Sequence, residues 1–193
     1  MRRRSLIPHL ILGVMTVLAI GAVILGLVLA PNTTTLTVRN GVGEVAEAGQ
    51  VTALVHQPSR GTVLRITYVA PDYGKETLLA GGPAGLGHPS KTYHGKQAKT
   101  LLGPVTELVK ATSFTKTGTG AATRYHGRIA GATLVTPAEA ALVHGYLAVT
   151  VKVTNGYVVD VLEKAHLHTP LGATRGVIRY GVTQVDGWTV PKG

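Results

Sequence analysis

Leu147-Ala148-Val149-Thr150-Val151-Lys152-Val153-Thr154-Asn155-Gly156 is the stretch that decides the fold. Leu147, Val149, Val151 and Val153 alternate with smaller or polar residues, the two-residue period of a strand with one buried face, and Asn155-Gly156 suits a tight hairpin turn. Tyr157–His168 returns, and Thr169-Pro170-Leu171-Gly172 turns the chain again. Ala173–Val185 runs on with Ile178, Tyr180 and Val182 on one face, and Asp186-Gly187 makes a last turn before Trp188-Thr189-Val190. The spacing predicts four consecutive antiparallel segments, forming a curved sheet with one apolar face.

Upstream of this meander lies a short helix with a clear start code. Thr136-Pro137-Ala138-Glu139 places threonine at the N-cap, proline at the first helical position and glutamate three residues after the cap, with Gly145 as the stop. Before it, Thr123–Ile129 reads as a strand around Tyr125. Leu101, Val105, Leu108 and Val109 fall at i, i+4, i+7 and i+8, one face of a helix that starts or kinks at Gly103-Pro104 and ends before Phe114. Val51–His56 and Thr62–Val69 read as strands around the turn-rich Gln57–Gly61, with Leu64, Ile66 and Tyr68 on a shared face. Thr33–Arg39 is rich in β-branched residues and reads as a half-buried strand, closed by an Asn40-Gly41 turn, with Gly43–Gln50 as loop or weak strand. From Pro71 to Pro89 the pattern weakens. Gly81–Gly87 is expected to be a mobile loop at a cavity mouth. It is not a phosphate-cradling loop, because no Gly-Lys-Ser/Thr follows.

The N-terminus sets the expected location. Leu6–Ala30 runs 25 residues without a charge after Arg2-Arg3-Arg4. As a helix it would be roughly 37 Å long, enough to cross a bilayer core with some tilt. The arginines hold residues 1–5 in the cytoplasm, so residues 31–193 are expected outside it, as one extracytoplasmic β-rich domain. A removable signal peptide is the competing reading. The apolar run is long for one, and Pro31 is unfavourable directly after the exit Val28-Leu29-Ala30, so a retained anchor is preferred. The chain has no cysteine, which excludes disulfides, thiolate metal sites and a lipid-modified N-terminal cysteine. Three of the 19 basic residues precede the span, leaving 16 against nine acids, a net charge of +7 beyond it. Such a domain beside a bilayer suits anionic headgroups or a phosphate-bearing envelope polymer, although the charges form no dense run and also fit an ordinary solvated surface. Nucleic acid fits poorly, given one Trp, one Phe and the wrong side of the membrane.

Catalytic chemistry finds no support. His166 and His168 share a strand face with Lys164, and no third metal ligand accompanies them, so that face is expected to be a solvated edge. Asp160 and Glu163 fall on opposite faces and make no carboxylate pair. No Gly-x-Ser-x-Gly, Cys–His or His-Glu-x-x-His arrangement occurs. No enzyme activity, metal or cofactor is expected.

Strands, helix, strand, short capped helix and a meander closing on Asp186-Gly187-Trp188 follow an order that resembles the LolA/LprG-like envelope lipoproteins. Leu102–Ile129 and Thr136–Val190 carry the resemblance, about half of the expected ectodomain. It implies an α+β fold: a curved antiparallel β half-barrel packed on one medium and one short helix, here preceded by a single transmembrane helix. It also implies non-enzymatic holding of acyl chains of a lipid, lipoglycan or lipoprotein between sheet and helices. The chain departs from that pattern in lacking the acylated cysteine, which leaves anchoring to residues 6–30. Candidate cavity-lining residues are Leu64, Ile66, Leu101, Val105, Leu108, Phe114, Val149, Val151, Ile178 and Tyr180. The competing reading is that these aliphatic residues pack on one another as a closed core. A second functional class is an accessory ectodomain of a membrane transport or wall-building complex, comparable to the single-span proteins of actinobacterial lipid-import systems. Those place long helices before the sheet, whereas here strands are expected directly after the anchor.

Overall fold

The computed structural model describes residues 32–81 and 89–191. The basic tail 1–5, the span 6–30 and all of the glycine-rich segment except Gly81 lie outside the described residues. Among the described residues, no helix is long and apolar enough to cross a membrane.

Two antiparallel meanders form the sheet. The first comprises β1 (Gln50–Gln57), β2 (Thr62–Val69), β3 (Tyr73–Ala80) and β4 (Ser90–His94). The second comprises β5 (Phe114–Thr117), β6 (Arg124–Ala130), β7 (His144–Thr154), β8 (Tyr157–Thr169) and β9 (Gly172–Val185), with the two-residue β10 (Trp188–Thr189) folding back on β9. Pairing of β1 with β9 joins them, giving the order β4-β3-β2-β1-β9-β8-β7-β6-β5 in one open, curved sheet. The hairpin expectations hold. Asn155 and Gly156 have φ of 49° and 83°, and Asp186 and Gly187 have 45° and 82°, the left-handed pairs that match the twist of flanking strands. β3 was not legible in the weak Pro71–Pro89 pattern, and β4 follows just beyond it, where no strand was expected.

The first element overturns its reading. Thr33–Glu47 is an α-helix, α1, not a strand with a turn and a loop. Thr35, Val38, Val42 and Val45 recur every three or four residues and are buried, so one helical stripe faces the sheet. Gly41 lies inside this helix and not in a turn. A Cβ there would meet the Gly156 carbonyl oxygen at 2.9 Å and the Val158 nitrogen at 3.2 Å, so α1 passes close over the β7–β8 hairpin. At the helix start the buried Thr35 hydroxyl accepts a hydrogen bond from the Phe114 backbone N–H at 3.1 Å.

The other two helical expectations are also corrected. In place of one helix through Leu101–Val109 stand two single-turn helices, α2 (Lys96–Lys99) and α3 (Gly103–Thr106), each followed by a 3₁₀ turn, Thr100–Leu102 and Glu107–Lys110. Pro104 sits in the first turn of α3, where its missing N–H costs nothing. Leu101, Val105 and Leu108 are buried, but Val109 is 50% exposed, because the tighter 3₁₀ turn rotates it off the shared face. The Thr136 start code is present as hydrogen bonds without the α-helix. The Thr136 N–H and hydroxyl donate to Glu139 Oε2 at 3.2 and 2.7 Å, yet only a 3₁₀ turn, Ala140–Leu142, follows. Its largest side chain, Leu142, is exposed, so no docked apolar face extends the helix.

Gly41 and Gly43 separate propensity from packing, since nothing lies within 4 Å of a Cβ at Gly43. Gly43→Ala is expected to stabilise the fold by up to about 1 kcal/mol. Gly41→Ala is expected to destabilise it by about 1–2 kcal/mol, because the backbone clash outweighs the same helical gain. Urea unfolding followed by circular dichroism measures both.

Candidate functional site

The concave face of the sheet is built in tiers set by strand register. The deepest runs Val151–Val161–Tyr180–Val55–Leu64 across β7, β8, β9, β1 and β2. The next is Val149–Glu163–Ile178, and the outermost is Leu147–Ala165–Gly176. With α1 and the segment from α2 to Lys110 over it, the inner part forms one continuous core that includes Val38, Val42, Val45, Leu101, Val105, Leu108 and Phe114.

All ten candidate lining residues therefore come together. Ile66, Leu101, Val105, Leu108, Phe114, Val149, Val151 and Tyr180 are buried members of that core, while Leu64 and Ile178 pack against it half-buried. They pack with one another, with α1 and the α2–Lys110 segment in the same cluster, as a packed interior does. Ile178 alone of the ten also lines a pocket, an opening of about 350 Å³ where the helical cover stops. Leu147, Glu163, Ala165, Gly176 and Ile178 form its floor, and Gln57, Ser59 and Arg60 of the β1–β2 connection form a wall. Its volume lies at the small end of ligand sites.

Glu163 is the functional group that the alternation argument passed over. It is 8% exposed and its Oε1 has no hydrogen-bond partner among the described residues. Burial pushes its carboxyl up to about 7, with the negative charge of Glu107 adding to the shift. The signal was available: Glu163 shares a face with Val161 and Ala165, a charged residue at an apolar position of an alternating strand. Tyr180 is completely buried with its hydroxyl also unpartnered among the described residues, and burial raises its pKa. Register sets Tyr180 two residues along β9 from Ile178, the residue facing Glu163, so two unsatisfied polar groups occupy diagonal positions on one face.

The convex face differs. Lys164, His166 and His168 are exposed there, and the His166 ring lies 5.1 Å from that of Tyr146. No cluster of three metal-ligating side chains occurs among the described residues.

Comparison with known proteins is structural only. No family model matches the sequence, and no curated protein sequence does. Solved structures that share the fold include the following two. The crystal structure of Mycobacterium tuberculosis lipoprotein LppX is similar with a TM-score of 0.53 at 13% identity, over 81% of this chain and 97% of that one. LprF from Mycobacterium bovis is similar with a TM-score of 0.52 at 10% identity, over 84% and 98%. At such identities the likeness is one of fold, and it agrees with the resemblance read from the meander.

Glu163 generates a pH prediction. Its folded pKa lies above the unfolded value, so between about pH 4.5 and 7 the folded protein keeps a proton that the unfolded chain has lost. Its contribution to stability is full below that window, falls as pH rises through it, and is flat above. Glu163→Gln is expected to match the wild type at pH 4 and exceed it at pH 8 by on the order of 3 kcal/mol. Paired urea titrations at the two pH values give that difference directly.

Proposed function

We propose that the protein is a membrane-anchored extracytoplasmic binder or carrier of a lipid or acylated envelope molecule, acting without chemical turnover. The observation that carries this reading is the outer tier of the concave face, where half-buried Ala165, Gly176 and Ile178, with Leu147 beneath, line the pocket of about 350 Å³. An acyl chain seated there gains roughly 0.8 kcal/mol per buried CH₂. Glu163, which keeps its proton up to about pH 7, meets an ester or hydroxyl at the head of that chain. The other proposed lining residues form the wall behind, and a longer chain reaches them where α1 or the α2–Lys110 segment yields. Residues 6–30 supply the anchor, with residues 1–5 cytoplasmic and residues 31–193 as the extracytoplasmic domain. The shared fold with LppX and LprF supports this reading through its architecture alone.

Gly176 offers the decisive variant, since nothing lies within 4 Å of a Cβ built on it. Gly176→Leu fills the pocket without straining the sheet. Native mass spectrometry of the full chain, gently extracted in detergent, is expected to show retained lipid-sized mass in the wild type and its loss in Gly176→Leu at unchanged melting temperature. A wild type that emerges bare in every preparation contradicts the carrier reading.

One observation favours a second function, an accessory ectodomain of a membrane transport or envelope-assembly complex. Eight of the ten proposed lining residues are already buried against protein. Co-purification of stoichiometric membrane proteins with a ligand-free interior distinguishes that role.

A further inference from the structure

The two sides of the sheet carry different charge. Over the concave side, Arg39 of α1 and Lys96, Lys99 and Lys110 of the following segment are offset by Glu44, Glu47 and Glu107, close to balance. Among the described residues, no α-helix covers the convex side to offset it. Strand alternation and register place Arg65, Arg124, Arg128, Lys152, Lys164 and Arg179 there, on β2, β6, β7, β8 and β9. Asp160 is the acid on the strands of this face, and Arg179 holds it through Nε at 2.8 Å and Nη2 at 3.1 Å. Arg128, Lys152 and Lys164 face no carboxylate within ion-pair distance among the described residues.

A groove of about 580 Å³ crosses the same face. Leu54, Val159, Leu162 and Val177 give it an apolar floor, Val190 and Pro191 run along one side, and Arg124, Lys152 and Arg179 stand around it. Val159 is 4% exposed and lies outside the concave core, whereas Val182 and Val190 tie one side of the groove to that core, so the floor of Leu54, Val159, Leu162 and Val177 is the apolar surface that this face adds. Cations surrounding hydrocarbon-accepting surface are the complement of a membrane interface, where phosphate charge lies over acyl chains. A free anionic polymer matches the cations alone and leaves the groove unexplained.

We propose that the convex face is a docking surface for a membrane bearing anionic phospholipids. Headgroup phosphates meet Arg128, Lys152 and Lys164, and the groove takes the glycerol-level hydrocarbon beneath one headgroup. The contact lies on the opposite face of the sheet from the floor of the concave pocket and holds whether or not that pocket carries lipid.

The test uses the full chain in phosphatidylcholine nanodiscs, with capture of vesicles of 30% phosphatidylglycerol in phosphatidylcholine. Wild type is expected to capture these vesicles in 0.1 M salt, to release them at 0.5 M, and to ignore pure phosphatidylcholine. The triple variant Arg128→Gln, Lys152→Gln, Lys164→Gln is expected to bind about 100-fold more weakly, at roughly fivefold per cation. The control triple Arg39→Gln, Lys96→Gln, Lys99→Gln removes the same charge from the helical side and is expected to bind within about threefold of wild type. Lys164→Glu alone, at an exposed position, keeps the test valid if the convex triple fails to fold, and is expected to lose at least tenfold. Equal loss in both triples, no capture by wild type, or capture of inorganic polyphosphate without vesicles overturns the assignment.

Discussion

The packing of α1 across the concave face is the constraint on which the rest of the structure depends. A single-layered sheet that alternates apolar and polar residues must cover one face or leave it in water. Val38, Val42 and Val45 provide that cover along the middle of the sheet, and Gly41 permits the close pass over the β7–β8 hairpin. The Thr35–Phe114 hydrogen bond fastens the helix to the start of β5, so the N-terminal element closes the second meander. Together with Leu101, Val105 and Leu108 of the following segment, α1 covers the tier containing Val151, Val161 and Tyr180. The pocket beside Glu163 is left at the outer tier of that interior.

The two faces then divide the chemistry. The concave side is mainly apolar, nearly charge-balanced above, and interrupted by the buried carboxyl of Glu163, which keeps its proton up to about pH 7. The convex side is basic and carries its own apolar groove. The division follows from the sheet being one layer thick, since each strand writes both faces at alternate residues. On β8, Val161, Glu163 and Ala165 belong to the pocket side, and Asp160, Leu162 and Lys164 to the other.

The parts of the fold legible in the sequence are those where local and tertiary signals agree. From Leu147 to Val190, alternation and the Asn155-Gly156 and Asp186-Gly187 turns point to the same strands that the structure contains. Thr33–Glu47 is the opposite case. Thr33, Thr34, Thr35, Asn40, Gly41 and Gly43 are poor helix formers, and the β-branched start favours a strand. The spacing of Thr35, Val38, Val42 and Val45 was the contrary signal, and burial of that stripe overrides propensity. At Thr136–Gly145 the local code is intact but no apolar face follows, so the helix stops at one 3₁₀ turn. The candidate residues were legible as a group because all are apolar. Whether they enclose space or fill it depends on α1, which its β-branched composition had assigned to the sheet. Glu163 was hidden by the search for paired carboxylates, although its isolation on an apolar face is what perturbs it.

Residue-resolved hydrogen exchange of the full chain tests this account most directly. If α1 is the inner layer of the fold, the amides of Val38, Gly41, Val42 and Val45 exchange as slowly as those of the central strands β1, β8 and β9, and are released only with global unfolding. Exchange of those amides within seconds while β1, β8 and β9 remain protected would show a sheet whose concave face is not closed by this helix, and would contradict the account at its base.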